Sequence, residues 1–461
     1  MTQATATPAP RPAPAPPRSY QFPRFERSTL PNGMRLVVAP VTKLPLVTVI
    51  AVVEAGASVE PAGKEGVAAL TARLLPEGAA GMDGAALAER FERIGASVES
   101  HADWDVTAVS LTALTKQLPA ALALVRDLLR APEFPEREVA RLKEERLAEL
   151  LQQRTEPRGL ADEHFSHALY QPSARYASPA DGDTSSVKAL TRADVRAFYA
   201  ARYRPAATTL VVAGDVTMAD AAALARDLFG DWVGERPTPA PAGIDAVQGG
   251  RLARVVAKAD APQSELRVGH RGILRTAPDY FDTMVMNAVL GGLFSSRINL
   301  NLREAHGYTY GAFSAFEWRR GAGPFFVSTA VKSDVTAAAV QEILGEIDRM
   351  RREEIGADEL TLATSYLDGV FPIRYETTAA IAAALANLVI HELPDDYYDR
   401  YRDRVRAVTT RGVLQAAQQH LHPDELRIVV VGDPTVIAAP LGEVAGVGAE
   451  VVSADALERR A

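Results

Sequence analysis

The sequence predicts an α+β fold of two tandem homologous α/β domains, each a mixed, largely antiparallel sheet flanked by helices. Two observations lead to this prediction. Apolar runs of strand length alternate with helical patterns along most of the 461 residues. The second half of the chain also repeats the first, on either side of a Pro/Gly-rich segment at residues 234–250. The chain therefore reads as a duplicated domain with a central linker.

The repeat is clearest in two segments of equal length. Residues 189–215 read ALTRADVRAFYAARYRPAATTLVVAGD, and residues 407–433 read AVTTRGVLQAAQQHLHPDELRIVVVGD, at a constant offset of 218 residues. Each copy has a threonine before a helix, then a proline, a strand and Gly-Asp, which is typical of a shared turn. Thr191 and Asp194 form a predicted capping box at the first of these helices. A match of this length and order indicates duplication.

The remaining elements of the first half follow from turn signals and periodicity. Val67, Leu70 and Leu74 share one face of a predicted helix. Read in order, the elements are a turn at 30–33, strands at 34–40 and 45–53, a helix at 65–75, a strand at 106–114, and helices at 118–129 and 137–153.

The predicted boundaries come from composition. Residues 1–24 form a disordered Ala/Pro-rich arm, because they carry too little apolar surface to offset ordering entropy. Residues 25–233 form the first domain, 234–250 the linker, 251–445 the second domain, and 446–461 a C-terminal tail.

Composition excludes several classes of function. The net charge of −8 gives no reason to expect nucleic acid, and no uninterrupted apolar run of 18 residues predicts membrane insertion. The absence of cysteine excludes disulfides, thiolate metal sites and a cysteine nucleophile. No apolar signal-peptide core opens the chain, so we expect a cytoplasmic protein, or a periplasmic one if a leader has been removed. Phosphate-binding, dinucleotide and nucleophile-elbow motifs are also absent.

Three stretches resemble one known family when taken in order. They read LPNGMRLVVAP, then PLVTVIAVVEAGASVEPAGKEGVAAL, and in the second half GGLFSSRINLNLREAHGYTYGA. Together they resemble the pitrilysin/insulinase-type zinc peptidases (inverzincins) over about residues 25–440. The resemblance implies that this chain is half of a clamshell peptidase.

Active members of that family carry H-x-x-E-H on the first helix, where two histidines grip zinc and the glutamate acts as general base. Aligned on Gly66, this chain has Ala69 and Arg73 at the histidine positions and Ala72 at the base position. Glu149 matches the family's third zinc ligand, but alone it cannot hold the metal, and a salt-bridged glutamate is the simpler interpretation. The chain is therefore expected to bind no zinc.

His164 and His167 are a second candidate metal site. Histidines at i and i+3 can share a helical face, with Asp162 or Glu163 adding an oxygen. No general base lies between them, so ordinary helix surface is the favoured interpretation.

The resemblance also assigns Arg303 and Tyr310 to substrate binding. In the family this pair faces the zinc across a cavity, where the arginine binds peptide carbonyls and the tyrosine hydroxyl stabilises the oxyanion. Tyr308 is the alternative tyrosine, because alternation in a strand would place it on the same face as Tyr310.

A chain that keeps the peptide-binding residues of the active site but lacks the zinc ligands fits an enzyme built from two chains. The resemblance implies a non-catalytic subunit, inactive alone, that pairs with a homologous H-x-x-E-H subunit carrying the zinc and acts on peptide or unfolded polypeptide. The alternatives are a scaffolding paralogue without catalytic function, and an independent enzyme using His164 and His167. Genomic adjacency to an active homologue separates the non-catalytic subunit from the scaffold, and metal analysis of the purified chain tests the independent enzyme.

Overall fold

The computed structural model describes residues 19–238, 247 and 249–457. Its strands are β1 Glu26–Thr29, β2 Arg35–Pro40, β3 Leu46–Val53, β4 Gly78–Ala79, β5 Met82–Asp83, β6 Ser97–Ala102, β7 Thr107–Leu114, β8 Thr208–Gly214, β9 Leu252–Ala257, β10 Gln263–Arg271, β11 Ala312–Phe316, β12 Pro324–Lys332, β13 Arg427–Gly432 and β14 Ala449–Ser453.

The helices of the first half are α1 Val67–Leu74, α2 Gly84–Arg93, α3 Leu118–Arg130, α4 Glu136–Thr155, α5 Pro157–Leu169, α6 Thr184–Ala189, α7 Arg192–Arg202 and α8 Met218–Phe229. Those of the second half are α9 Tyr280–Asn287, α10 Arg297–Asn299, α11 Thr336–Arg352, α12 Ala357–Arg374, α13 Thr378–Ile390, α14 Tyr397–Arg406, α15 Thr410–His420 and α16 Pro434–Ala445. Two π-helical segments, Ala288–Gly292 and Leu300–Ala305, extend α9 and α10.

Five strands in each of the two main sheets follow the same order, which confirms the predicted pair of homologous domains. The sixth strand differs, because β1 precedes β2 and pairs with it antiparallel, whereas β14 is the last strand and pairs with β9 in parallel. The first sheet runs β1-β2-β8-β3-β7-β6, and the second runs β14-β9-β13-β10-β12-β11. In both, the second and third strands pair in parallel, and the next three pairings are antiparallel. Helices α7 and α15 lie at the offset of 218 residues predicted from sequence. The predicted capping box of Thr191 and Asp194 is also present.

Each half covers the other half's sheet with a helix. α5 of the first half packs on β10 and β13, and α13 of the second half packs on β3 and β8. The Thr378 hydroxyl at the start of α13 lies 3.0 Å from that of Thr48 in β3. Both faces of each sheet are therefore covered, which explains why β8 and β13 are buried at every position.

The structure corrects both ends of the predicted domain organisation. Tyr20 donates a hydrogen bond to the carbonyl of Tyr375, and Phe22 is buried against Tyr398, so the inner end of the predicted arm 1–24 is packed. Residues 449–453 of the predicted tail form β14, which pairs with β9. These two terminal segments have too few apolar residues to form a core of their own. They are ordered because they pack against the core of the second domain. Residues 1–18, most of the predicted linker and residues 458–461 lie outside the described part of the chain.

Among the described helices, none is by itself long and apolar enough to span a membrane. α12 and α13 pass that test only as a pair, and their axes are bent by 116°.

Candidate functional site

Helix α1, which carries the positions of the family's zinc motif, is held by a buried carboxylate. The two oxygens of Glu60 accept hydrogen bonds from the backbone N–H groups of Gly66 and Ala68, at 3.1 and 2.7 Å. Arg175 holds Glu60 through an ion pair of 2.7 Å. Gly66 has a φ of +91°, and a Cβ there would lie 2.6 Å from the Asp181 carbonyl oxygen. Only glycine fits at this helix start.

The positions of the missing zinc ligands are occupied by an ion-pair network. Arg73 Nη1 lies 3.3 Å from Glu149 Oε1, and Arg73 Nη2 lies 2.7 Å from Glu145 Oε1. Glu149 is also 3.2 Å from Arg146 Nη1. Ala69 is half-buried beside them, whereas Ala72 is fully buried. The structure therefore brings together Arg73 and Glu149, which the sequence placed at two ligand positions 76 residues apart.

Zinc does not fit these residues. The methyl groups of Ala69 and Ala72 have no lone pair to donate, and the guanidinium of Arg73 is a fixed cation. Glu149 is engaged by two arginines and is half-buried, as the salt-bridge interpretation predicts.

The two histidines considered as a second metal site have different environments. His164 is 1% exposed, and its Nε2 lies 3.4 Å from the Ala454 carbonyl oxygen. Burial lowers the pKa of His164 to about 4. His167 is half-buried. The expectation of ordinary helix surface is thus wrong for His164, because β14 and the residues after it cover that side of α5. Within the described ranges, no three His, Cys, Asp or Glu side chains are grouped as metal ligands.

The segment carrying Arg303 is fixed by two buried side chains of α10. Arg297 pairs with Glu359 of α12 through two hydrogen bonds of 2.7 and 2.8 Å. Asn299 donates to the Phe294 carbonyl at 2.6 Å and accepts from the Ala312 N–H at 3.0 Å. Asn299 therefore ties the loop before α10 to the start of β11. Arg303 follows in the π-helical segment Leu300–Ala305.

Tyr308 and Tyr310 lie in a loop and not in a strand, which corrects the prediction that they share a face. Gly307, with a φ of +65°, ends the helical segment, and β11 begins only at Ala312. Tyr308 is half-buried and stacks on His306 with ring centroids 4.9 Å apart. Tyr310 is 92% exposed. The two tyrosines are therefore not equivalent, and Tyr310 is the one available to a ligand.

The exposed ring of Phe294 contacts Arg303 and lines the same groove as Tyr310. The guanidinium carbon of Arg303 lies 4.7 Å from the ring centre of Phe294, which is 71% exposed. Phe294, Tyr310 and Phe313 line one open groove along β11. Among the described strands, β11 lies at the edge of its sheet, so its outer backbone groups pair with none of them. The groove thus combines apolar surface, a hydroxyl and an unpaired strand edge.

Phe294 and Asn299 were not predicted from the sequence as parts of this site. A signal for Phe294 was present, because a phenylalanine in the Gly- and Ser-rich stretch GGLFSS is too isolated to belong to a core stripe. Asn299 had no such signal, since its two hydrogen bonds depend on the path of the loop around it.

Comparison with known proteins identifies the family. Residues 37–178 match the family model described as Insulinase (Peptidase family M16), and residues 189–367 match the Peptidase M16 inactive domain. The chain belongs to the insulinase (M16) peptidase family. It is one of the non-catalytic members, because the H-x-x-E-H motif is absent from its sequence.

Several M16 relatives match over most of the chain. An uncharacterized zinc protease of Mycobacterium tuberculosis is 25% identical over 410 residues, which are 88% of this chain and 92% of that protein. A probable mitochondrial-processing peptidase subunit beta of Schizosaccharomyces pombe is 25% identical over 280 residues, 58% of this chain and 59% of that protein.

Two solved structures share the fold. The M16 inactive domain from Pseudomonas fluorescens has a TM-score of 0.84 at 27% identity, covering 89% of this chain and 98% of that one. A protease from Helicobacter pylori has a TM-score of 0.83 at 18% identity, covering 89% of this chain and 100% of that one.

Proposed function

We propose that this M16 chain is the substrate-binding subunit of a heterodimeric zinc metalloendopeptidase. Its partner is a homologous subunit that carries H-x-x-E-H and the zinc. The proposal rests on a contrast between the zinc-motif positions of the first domain and the exposed Tyr310 of the second domain. The zinc positions are filled by the ion pair of Arg73 and Glu149, whereas Tyr310 stands almost fully exposed in the groove along β11.

The groove, and Arg303 beside its residue Phe294, each have a role in this proposal. The edge of β11 pairs with an extended peptide, whose backbone supplies the hydrogen bonds and whose sequence is left unconstrained. Arg303 donates to a carbonyl of the bound peptide. The Tyr310 hydroxyl would donate a hydrogen bond to the oxyanion of the peptide being cleaved, and the zinc held by the partner would activate the attacking water. Phe294 and Phe313 provide apolar contact area on either side.

An exposed Tyr310 favours this role over a scaffold. Folding gains little from a tyrosine that is 92% exposed, and among the described residues the only ion-pair partner of Arg303 is its neighbour Glu304, at 3.5 Å. A scaffolding protein has no need of this pair of side chains at an open strand edge.

The test is reconstitution with an H-x-x-E-H homologue from the same genome. Each chain alone and the mixture are assayed on an unstructured, internally quenched peptide, with and without chelator. We expect zinc-dependent cleavage by the mixture only. In the mixture, Tyr310→Phe should lower kcat/KM by ~10²–10³, the usual cost of losing one oxyanion donor. Arg303→Ala removes a charged donor to a peptide carbonyl and should lower kcat/KM by about 10–100-fold, mainly through a higher KM.

Matched controls are available on the same chain. Tyr366→Phe removes a hydroxyl from a half-exposed tyrosine of α12, and Arg137→Ala removes an exposed arginine of α4. Both should retain full activity in the mixture. If Tyr310→Phe and Arg303→Ala were as active as these controls, the assigned roles would be wrong. A mixture without activity would instead favour the scaffold.

A further inference from the structure

A cavity of about 120 Å³ lies beside Arg73, where an active family member would hold its metal. Its wall comes from α1, α4, α6, the turns before and after α6, and the end of β6, where His101 and Ala102 lie. The apolar side chains are Ala69, Leu70, Leu142, Val187 and Leu190. At ~30 Å³ for each water-sized group, the cavity has room for a branched group of about four carbon atoms.

Three cationic side chains also line this cavity: Arg73, Lys143 and Arg146. The Lys143 ammonium donates to the backbone carbonyls of Lys188 and Leu190 rather than to a carboxylate. Arg146 is only 9% exposed, and within the described chain its Nε–H has no hydrogen-bond partner. A buried guanidinium N–H without an acceptor is costly, so it favours a ligand that brings one.

The nearby acids do not balance these cations. Glu149 is shared between Arg73 and Arg146, and Glu145 is shared between Arg73 and Arg141. The acid that lines the cavity, Asp181, is exposed. The ammonium of Lys143 and the Nε–H of Arg146 are therefore left to attract an anion.

We propose that this cavity binds a carboxylate attached to a short branched alkyl group. The alkyl group occupies the apolar wall, and the carboxylate accepts from Arg146 Nε and faces Lys143. Such a group is supplied either by a free branched-chain acid or by the C-terminal leucine or valine of a peptide. Loss of the zinc ligands has thus converted a metal position into an anion position.

This inference does not rest on the proposed subunit role. It uses residues of the first domain, and it is tested on the chain alone without a partner or a peptidase assay. Arg303 and Tyr310 take no part in it, so either proposal can fail while the other stands.

Isothermal titration of the full chain with 4-methylpentanoate tests the chemistry, with 4-methylpentanamide as the matched neutral probe. We expect the acid to bind at one per chain and the amide to bind at least tenfold more weakly, because the charge-assisted hydrogen bond is lost. Acetyl-Ala-Ala-Leu, as free acid and as amide, distinguishes the two sources. Binding of the peptide acid alone would identify a peptide C-terminus as the ligand. If neither acid binds, the proposal is overturned.

Two variants locate the site. Arg146→Met removes the unpaired donor, and Ala69→Leu fills the cavity without changing any charge. Each should raise the dissociation constant of the acid that binds by at least tenfold. The control, Arg137→Met, removes an exposed arginine from the same helix and should leave binding unchanged. If Arg146→Met does not fold, the test rests on Ala69→Leu. Unchanged binding of the acid by Ala69→Leu would then overturn the proposal.

Discussion

Arg73 of α1 and Glu149 of α4 form an ion pair of 3.3 Å, at the two positions that the sequence resemblance aligns with the second histidine and the third zinc ligand of the M16 family. We infer that the backbone arrangement of the metal site is kept while its chemistry is replaced. An arginine of the protein now pairs with the carboxylate that would bind the metal in an active member. The predictions below follow from this pair and from the groove in the second domain.

If the backbone of the metal site is retained, zinc binding can be restored by replacing the lost ligands. Ala69→His with Arg73→His supplies imidazoles at i and i+4 of α1, and removes the arginine that engages Glu149. We expect the double variant to retain one zinc per chain after dialysis, measured by elemental analysis. Adding Glu149→Gln should weaken zinc binding at least tenfold. A double variant without zinc would contradict the inferred backbone arrangement.

The two ion pairs around α1 should differ in their contribution to stability. Arg73 and its partners are about a third to a half exposed, so Arg73→Ala should lower the free energy of unfolding by about 1 kcal/mol or less. Arg175→Ala should cost about 3–5 kcal/mol, because it leaves the fully buried carboxylate of Glu60 unpaired. Urea unfolding of both variants at pH 8 measures the difference.

The cost of Arg175→Ala should also depend on pH. Burial raises the pKa of Glu60 to about 7, against the opposing effect of Arg175. At pH 8 the carboxyl is ionised and needs its partner, whereas at pH 5 it is protonated and does not. The destabilisation should therefore be smaller at pH 5 than at pH 8. An equal loss of unfolding free energy at pH 5 and pH 8 would mean that Arg175 stabilises the fold through packing alone.

His164 should make the folded chain sensitive to acid. Burial lowers its pKa from 6.5 to about 4, so the unfolded chain binds the proton more readily between these values. The stability contributed by neutral His164 is present above pH 6.5 and is lost as the pH falls towards 4. His164→Leu should remove this loss, on the order of 3 kcal/mol. The comparison is the difference in unfolding free energy between wild type and variant at pH 7 and pH 4.5; a constant difference would exclude the effect.

The two tyrosines of the second-domain loop should behave differently in a reconstituted enzyme. Tyr308→Phe keeps the ring that stacks on His306, so activity should stay within about twofold. Tyr310→Phe removes the exposed hydroxyl and should lower kcat/KM by ~10²–10³. The reverse order of effects in a peptide-cleavage assay would assign the oxyanion role to Tyr308.

Much of the fold could be predicted from local pattern. The duplicated segments of residues 189–215 and 407–433 became α7 with β8 and α15 with β13, because period and turn chemistry are local properties. The loop at Tyr308 and Tyr310 was mistaken for a strand, because alternating aromatic residues fit both and only Gly307 marks the difference. Residues 20–22 and 449–453 have weak patterns of their own, and they are ordered by the second domain that they contact.

The sequence by itself determined the duplication, the family, and the loss of the zinc motif, with Ala69 and Arg73 at the histidine positions and Ala72 at the base position, since these depend only on residue type and spacing. Only the tertiary structure decided that Arg73 meets Glu149, that Lys143 and Arg146 face an apolar cavity, and that Tyr310 rather than Tyr308 is exposed. These relationships join residues far apart in the chain or on opposite sides of a loop. Charge pairing and burial depend on which side chains come within a few ångströms of each other in the folded chain. The spacing of residues along the sequence does not specify this.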